Sequence, residues 1–365
     1  MNQMNQPVTQ ARPIDYIHTV QEALKYRKED ISYTYLMGAS GEAFRFFYNR
    51  TDPEAGMNTF FHNPLRATCR TLGYSFEVSY DDTYEAASER LQENTRAGKP
   101  TLLPFDDSCP FLTKDDGPET LICQNGSRYQ IKTAELHKEW HPSGGFLELG
   151  PHGYYQFVIG EREREPKARD AALGTLRVAR KMAESRRKIQ GCAIGLAAYD
   201  ELIAHLNGML SRRRKLTEHN VSKVMKWGGQ PLTQFIEART AAVDYLQMIR
   251  EHLEEDELEH LEEAIAEYQK VVGLLKAVQR LLPSLEMREA APTDDKTKVR
   301  LGLGLSRMHL WMHPNREAQT PEEAMSHFKP KCRAAIKVLE RTVAAEAKAS
   351  RKIRDVLQTS EKVKM

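Results

Sequence analysis

Tyr33-Thr34-Tyr35-Leu36-Met37-Gly38-Ala39-Ser40-Gly41-Glu42-Ala43-Phe44 decides how the first half of this chain is read. Tyr33 to Met37 is a short apolar run of β-type character that breaks at the small-residue turn opened by Gly38. A helical pattern then occupies Glu42 to Tyr48. This order predicts strand, turn and helix, with Ser40 at or near the helix N-terminus. Unpaired backbone N–H groups and the positive end of the helix dipole make such a place suited to an anion or an activated nucleophile.

Outward from this turn the chain mixes element types. Ile14 to Arg27 reads as an amphipathic helix on Ile17, Val20 and Leu24, and Pro64 to Leu72 as a short helix closed by Gly73. Tyr74 to Val78 alternates as a half-buried strand does. Thr83 to Ala97 is a helix with Thr83 as its cap, Ala87 and Leu91 on one face and Gly98 as its stop. Lys99–Leu103, Glu119–Cys123 and Tyr155–Ile159 read as further strands, which gives an α+β organisation.

From Arg164 onward strand signals disappear. Helical patterns cover Pro166–Gln190, Ala193–Arg213, Leu232–Leu253, Asp256–Leu282, an interrupted 299–312 and Pro321–Leu357. Leu196, Tyr199, Ile203, Leu206 and Leu210 form one stripe, and Thr320-Pro321-Glu-Glu323 is a helix-start signal. Glu289 to Lys298 reads as an exposed linker. The 365 residues suit two domains, placed at 1–160 and 161–365. Charge differs between them: 15 Lys+Arg against 21 Asp+Glu in the first, 38 against 30 in the second, or −6 and +8. That surplus is too mild to argue for nucleic acid, and docking of complementary halves explains it as well.

Ser40-Gly41 opening a helical pattern resembles the layout of papain-like bacteriocin-processing cysteine peptidases and of the N-terminal domain of butirosin biosynthesis protein H. There a nucleophilic Cys, a Gly, a variable and a small residue open the helix; here the Cys position is Ser40. Gly195-Leu-Ala-Ala-Tyr199-Asp-Glu-Leu-Ile203 resembles a helix that follows the papain-like core in relatives of that protein, and the aromatic strand Tyr154 to Gly160 fits the same order. The resemblance covers roughly residues 15–210. It implies an α+β papain-like domain over 1–160 followed by an all-α helical domain over 161–365. It also implies a ligand that is a small molecule or peptide, natural-product (secondary) metabolism as the setting, and an acyl carrier protein as a candidate partner.

A papain-like reaction needs a nucleophile, an imidazole and a group that orients it. The family's His lies on a strand, but the matching segment, Glu119 to Gly126, contains none; His137, His141 and His152 fall in loops. The expectation is therefore a catalytically degenerate site that binds a ligand, with Ser40 at the catalytic position and Gly41, Asp106 and His152 as binding residues. An acyltransferase or amidase using Ser40 is the alternative. Cys109, in Phe105-Asp-Asp-Ser-Cys109-Pro110, is a weaker thiol candidate, and Asp106 and Asp107 stand where a strand ends.

Other chemistry finds less support. The five cysteines are scattered without a Cys-x-x-Cys pair, so no disulfide framework or zinc site is indicated, and each reads as a small buried residue. Glu257-x-x-His260 has the local spacing of a carboxylate-bridged di-iron helix, with His252 nearby. A second such motif is missing, and the run reads as a solvated acidic face. His309 and His313 lack a third ligand, so no metal is expected. Arg186-Arg-Lys188 and Ser211-Arg-Arg-Arg-Lys215 are basic clusters read as structural, the second as helix-end charge, with contact to an anionic ligand or nucleic acid as the alternative. Gly302-Leu-Gly304 lacks the rest of a dinucleotide fingerprint, and no cofactor is expected. No apolar run reaches the roughly 18 residues of a membrane span, and Met1 to Pro7 lacks signal-peptide character; a cytoplasmic location is the expectation.

Overall fold

The structure of the chain, a computed structural model, describes residues 15–50, 64–103, 111–113, 120–124, 127–131, 136, 140, 153–186, 188–189, 192–211, 224, 227–282 and 321–362. It is a mixed α+β protein, mostly helical, and divides into two compact units. One comprises Met1–Glu42 and Asn58–Thr175; the other comprises Ala43–Met57 and Leu176–Met365.

In the first unit the caps read from sequence set the helix ends. Thr83 accepts the Ala86 N–H and opens α4 (Tyr84–Arg96); α3 (Pro64–Leu72) ends at Gly73. With α1 (Asp15–Tyr26) and α2 (Tyr33–Ser40) these helices accompany a six-stranded antiparallel sheet. Its strands are β2 (Tyr74–Asp81), β3 (Thr101–Leu102), β4 (Phe111–Thr113), β5 (Thr120–Gln124), β6 (Ser127–Ile131) and β7 (Tyr154–Arg162), in the order β2-β7-β3-β4-β5-β6. The long β2–β7 pair runs from Asp81↔Tyr154 to Tyr74↔Arg162, with an irregularity between Tyr74 and Phe76. α4 lies against β2, β3 and β7, while α3 lies against β2 and α2. Ala87, Leu91, Leu103, Leu136 and Trp140 form a buried cluster, edged by Tyr84 and Tyr154. Arg90 grips Asp81 with two bonds of 2.9 Å, fixing α4 to the end of β2.

The second unit is built on helices α5 (Ala168–Ala183, of which Leu176 onward belongs here), α6 (Leu196–Leu210), α7 (Gln230–Met248), α8 (Glu255–Leu281) and α9 (Pro321–Lys362). α8 packs along α9 and against α7, and α9 also packs on α6. Leu261, Tyr268, Val271, Leu275, Leu339 and Ile353 lie in its core. Lys348 and Lys352 of α9 pair with Glu267 and Glu263 of α8.

The expectation of an all-helical second half needs correction. A three-stranded antiparallel sheet, in the order β1-β9-β8, is formed by β1 (Phe47–Asn49), β8 (Lys188–Ile189) and β9 (Cys192–Ile194). Phe47 pairs with Ile194 and Asn49 with Cys192. Strands of two or three residues have no room to show a period, so pattern reading absorbed them into adjoining helices. The expected linker 289–298 and the pattern over 299–312 lie outside the described residues.

Candidate functional site

Ser40 occupies the opposite end of a helix from the one expected. Ser32 caps α2, its hydroxyl accepting the Tyr35 N–H at 3.2 Å, and Leu36 N already bonds to Ser32 O at 3.1 Å. Ser40 is the last helical residue. Gly41 follows at φ 82°, its N–H donating to Gly38 O at 2.9 Å. Tyr33-Thr-Tyr has β-type propensity, but Ser32 at the start and Gly41 at the end bracket one short helix, and Leu36, Met37 and Ala39 are buried in it. The Glu42–Tyr48 helix is replaced by one 3₁₀ turn, Glu42–Phe44, followed by β1.

This inversion changes the chemistry. At a helix C-terminus the unpaired groups are carbonyls and the dipole is negative, so the turn repels an oxyanion. Ser40 is fully buried. Its hydroxyl donates to Met37 O at 3.1 Å and accepts the Glu42 N–H at 3.2 Å, so its proton is aimed back into its own helix. Gly41 takes a left-handed backbone, which glycine adopts without strain. Asp106 and His152, with Cys109, His137 and His141, lie outside the described residues.

Beyond Gly41 the quoted stretch runs into the core of the second unit. Ala43, Phe44, Phe46, Phe47 and Tyr48 are all buried. Phe46 stacks on Tyr199 of α6 with ring centroids 3.6 Å apart. The Arg239 guanidinium, on α7, donates from Nη1 to Ala43 O at 2.8 Å and to Arg45 O at 3.1 Å. Its Nε reaches Glu346 Oε2 at 3.0 Å and its Nη2 lies 2.7 Å from Glu346 Oε1. Tyr199 adds a hydroxyl bond to Glu346 Oε2 at 3.2 Å. Burial works against the Arg239 cation, but the Glu346 carboxylate and the neighbouring tyrosines leave its pKa raised. This is a structural clamp on residues 43–45. It also revises the stripe read on α6: Tyr199, Leu202, His205, Leu206 and Met209 are buried there. Tyr48 hydrogen-bonds His205 Nδ1, and burial raises the tyrosine's pKa.

Of the metal candidates, Glu257 has a structural role. Glu257 is fully buried, not on a solvated face, and its carboxylate accepts the Glu254 N–H at 2.9 Å in a capping box that starts α8. His252 sits 3.7 Å from Glu251. Among the described residues no cluster of three His, Cys, Asp or Glu side chains is arranged to hold a metal. His309 and His313 lie outside them. Cys69, Cys192 and Cys332 are buried, free thiols, and burial pushes them up to about 12, about 11 and about 12 respectively. Lys188 is half-exposed and pairs with Glu201, whereas residues 212–215 of the second basic cluster lie outside the described residues. No described helix is long and apolar enough to cross a membrane.

An open cleft of about 440 Å³ lies where α3 passes into β2. Arg66 and Arg70 of α3, Gly73 to Phe76, and Glu163 and Arg164 after β7 line it. Gly73, at φ +81°, accepts both the Glu163 N–H at 2.9 Å and the Arg164 N–H at 3.3 Å. A Cβ on Gly73 would sit 2.0 Å from Arg164 O, so only glycine closes this junction. Sequence reading missed the cleft because Arg164 is brought to α3 by the β2–β7 pairing. Comparison of the chain with family models and with curated proteins returns no match.

Proposed function

We propose that the chain is a catalytically degenerate protein of papain-like descent that binds a small molecule or peptide and does no chemistry at Ser40. The observation that carries this reading is the Ser40 turn: a buried hydroxyl, bonded to Met37 O and to the Glu42 N–H, at the negative end of a helix. An acyl transfer at this position would require the hydroxyl to leave both bonds and an oxyanion to form at the negative end of a helix dipole. The Ser40 acyltransferase or amidase has no observation in its favour. Descent from the papain-like family and a setting in natural-product metabolism rest on the resemblance of the Gly195–Ile203 stretch, which opens α6, and on the residue pattern at Ser40-Gly41, whose helix-opening layout is not kept.

A fluorophosphonate probe tests the reading. The folded protein stays unlabelled at Ser40 by peptide mass spectrometry. Stoichiometric labelling that disappears in Ser40→Ala would overturn it.

A further inference from the structure

Arginines of the first unit differ in what they bind. Arg27 and Arg162 lie 5.6 and 5.9 Å from the Tyr74 ring centroid and are spent on structure. Arg27 donates to Ile159 O at 2.9 Å and pairs with Glu161 at 2.9 Å, and Arg162 pairs with Glu29 at 3.5 Å. Arg70 and Arg164 carry no ion pair among the described residues, although both are exposed and line the same cleft as Arg66. Arg66 and Arg70 stand one turn apart on α3, a like-charge spacing that disfavours the helix. The helix dipole accounts for Arg70 in the last turn of α3, but not for Arg164, which lies outside a helix.

We propose that this cleft binds a phosphoryl-bearing small molecule, held by the guanidinium groups of Arg66, Arg70 and Arg164; this names a ligand class and rests on the binding reading above. Guanidinium forks match phosphoryl oxygens in pairs and keep their charge at every physiological pH. A volume of about 440 Å³ falls in the range of about 300–1,000 Å³ usual for small-molecule sites. The Gly73 junction makes the cleft a preformed one, since two N–H donors of the 163–164 segment are fastened to the residue that ends α3. Glu163, the one carboxylate among the described lining residues, offers an acceptor to a hydroxyl beside the phosphate.

Inorganic pyrophosphate, titrated calorimetrically into the full chain at fixed ionic strength, tests this, with citrate as the carboxylate comparison. One saturable pyrophosphate site is expected, tighter than citrate. Arg70→Gln and Arg164→Gln are each expected to weaken it by roughly ten- to a hundred-fold, the loss of a charge-assisted bond, with unchanged thermal midpoints. Ser40→Ala is expected to bind as wild type. Absence of saturable binding, tighter binding of citrate, or equal affinity in an Arg70→Gln/Arg164→Gln double variant would overturn the assignment. Labelling of Ser40 by the fluorophosphonate would defeat the non-catalytic reading while leaving these affinities as they are, so the two failures are separable.

Discussion

Replacing Glu346 by Ala tests the clamp on residues 43–45. Arg239 is fully buried and Glu346 nearly so, and the guanidinium divides its bonds between one carboxylate and two backbone carbonyls. Removing one member of a buried ion pair costs about 3–5 kcal/mol, because the other charge is left uncompensated. The retained bonds to Ala43 O and Arg45 O place the expected loss near the lower end, about 3 kcal/mol, with the stranded Tyr199 hydroxyl included in it. Glu346→Gln keeps an acceptor of the same shape and is expected to cost roughly half as much. The double change Arg239→Met/Glu346→Leu should be more stable than Glu346→Ala, since it buries no unpaired charge. Guanidinium unfolding followed by Trp227, buried in the same unit, reads the difference in a Trp140→Phe/Trp311→Phe background. A loss below about 1 kcal/mol for Glu346→Ala would refute the reasoning, that being the scale of an exposed pair, as would a double variant weaker than the single one.

Three further outcomes follow from the geometry. Gly41→Val forces a β-branched residue to φ 82° and should lower stability by at least about 1–2 kcal/mol, read by thermal unfolding; an unchanged midpoint would contradict the left-handed cap. Gly73→Ala carries the same backbone penalty at φ +81° together with a Cβ placed 2.0 Å from Arg164 O, so it should destabilise the first unit and weaken pyrophosphate binding together. The buried thiols of Cys69, Cys192 and Cys332 have pKa values raised from 9.0 to about 12, 11 and 12. A raised thiol favours the fold fully below its unfolded value, and this contribution is lost as pH rises from about 9 through the folded values. Thermal midpoints should therefore fall between pH 9 and 11, less steeply in Cys→Ala variants, and native thiols should resist alkylation at pH 8.

Elements with both a period and a punctuating residue were legible in the sequence. α4 has Thr83 and Gly98, α3 has Gly73, and α9 begins at Pro321 as its start signal indicates. Buried runs were not legible. Residues 43–49 are buried on every side and carry no alternation to separate strand from helix. The Ser40 turn was misread although a signal existed, because Ser32 and Gly41 stand at the two caps of an eight-residue helix. Arg239 and Glu346 are 107 residues apart, and no local pattern pairs them. Arg66 and Arg70 show their spacing in the sequence, but the third arginine reaches them only through the register that sets Tyr74 opposite Arg162.

Hydrogen exchange across residues 33–47 tests the central claim most directly, that the Ser40 turn is a closed structural element and not an open site. Gly41 N is bonded to Gly38 O and Glu42 N to the Ser40 hydroxyl, and Ser40 itself is fully buried. The account predicts slow exchange of these amides, reached only through large-scale opening of the first unit, and a measurable acceleration at Glu42 in Ser40→Ala. Rapid exchange at Gly41 and Glu42 in the intact protein, unaffected by that substitution, would contradict it.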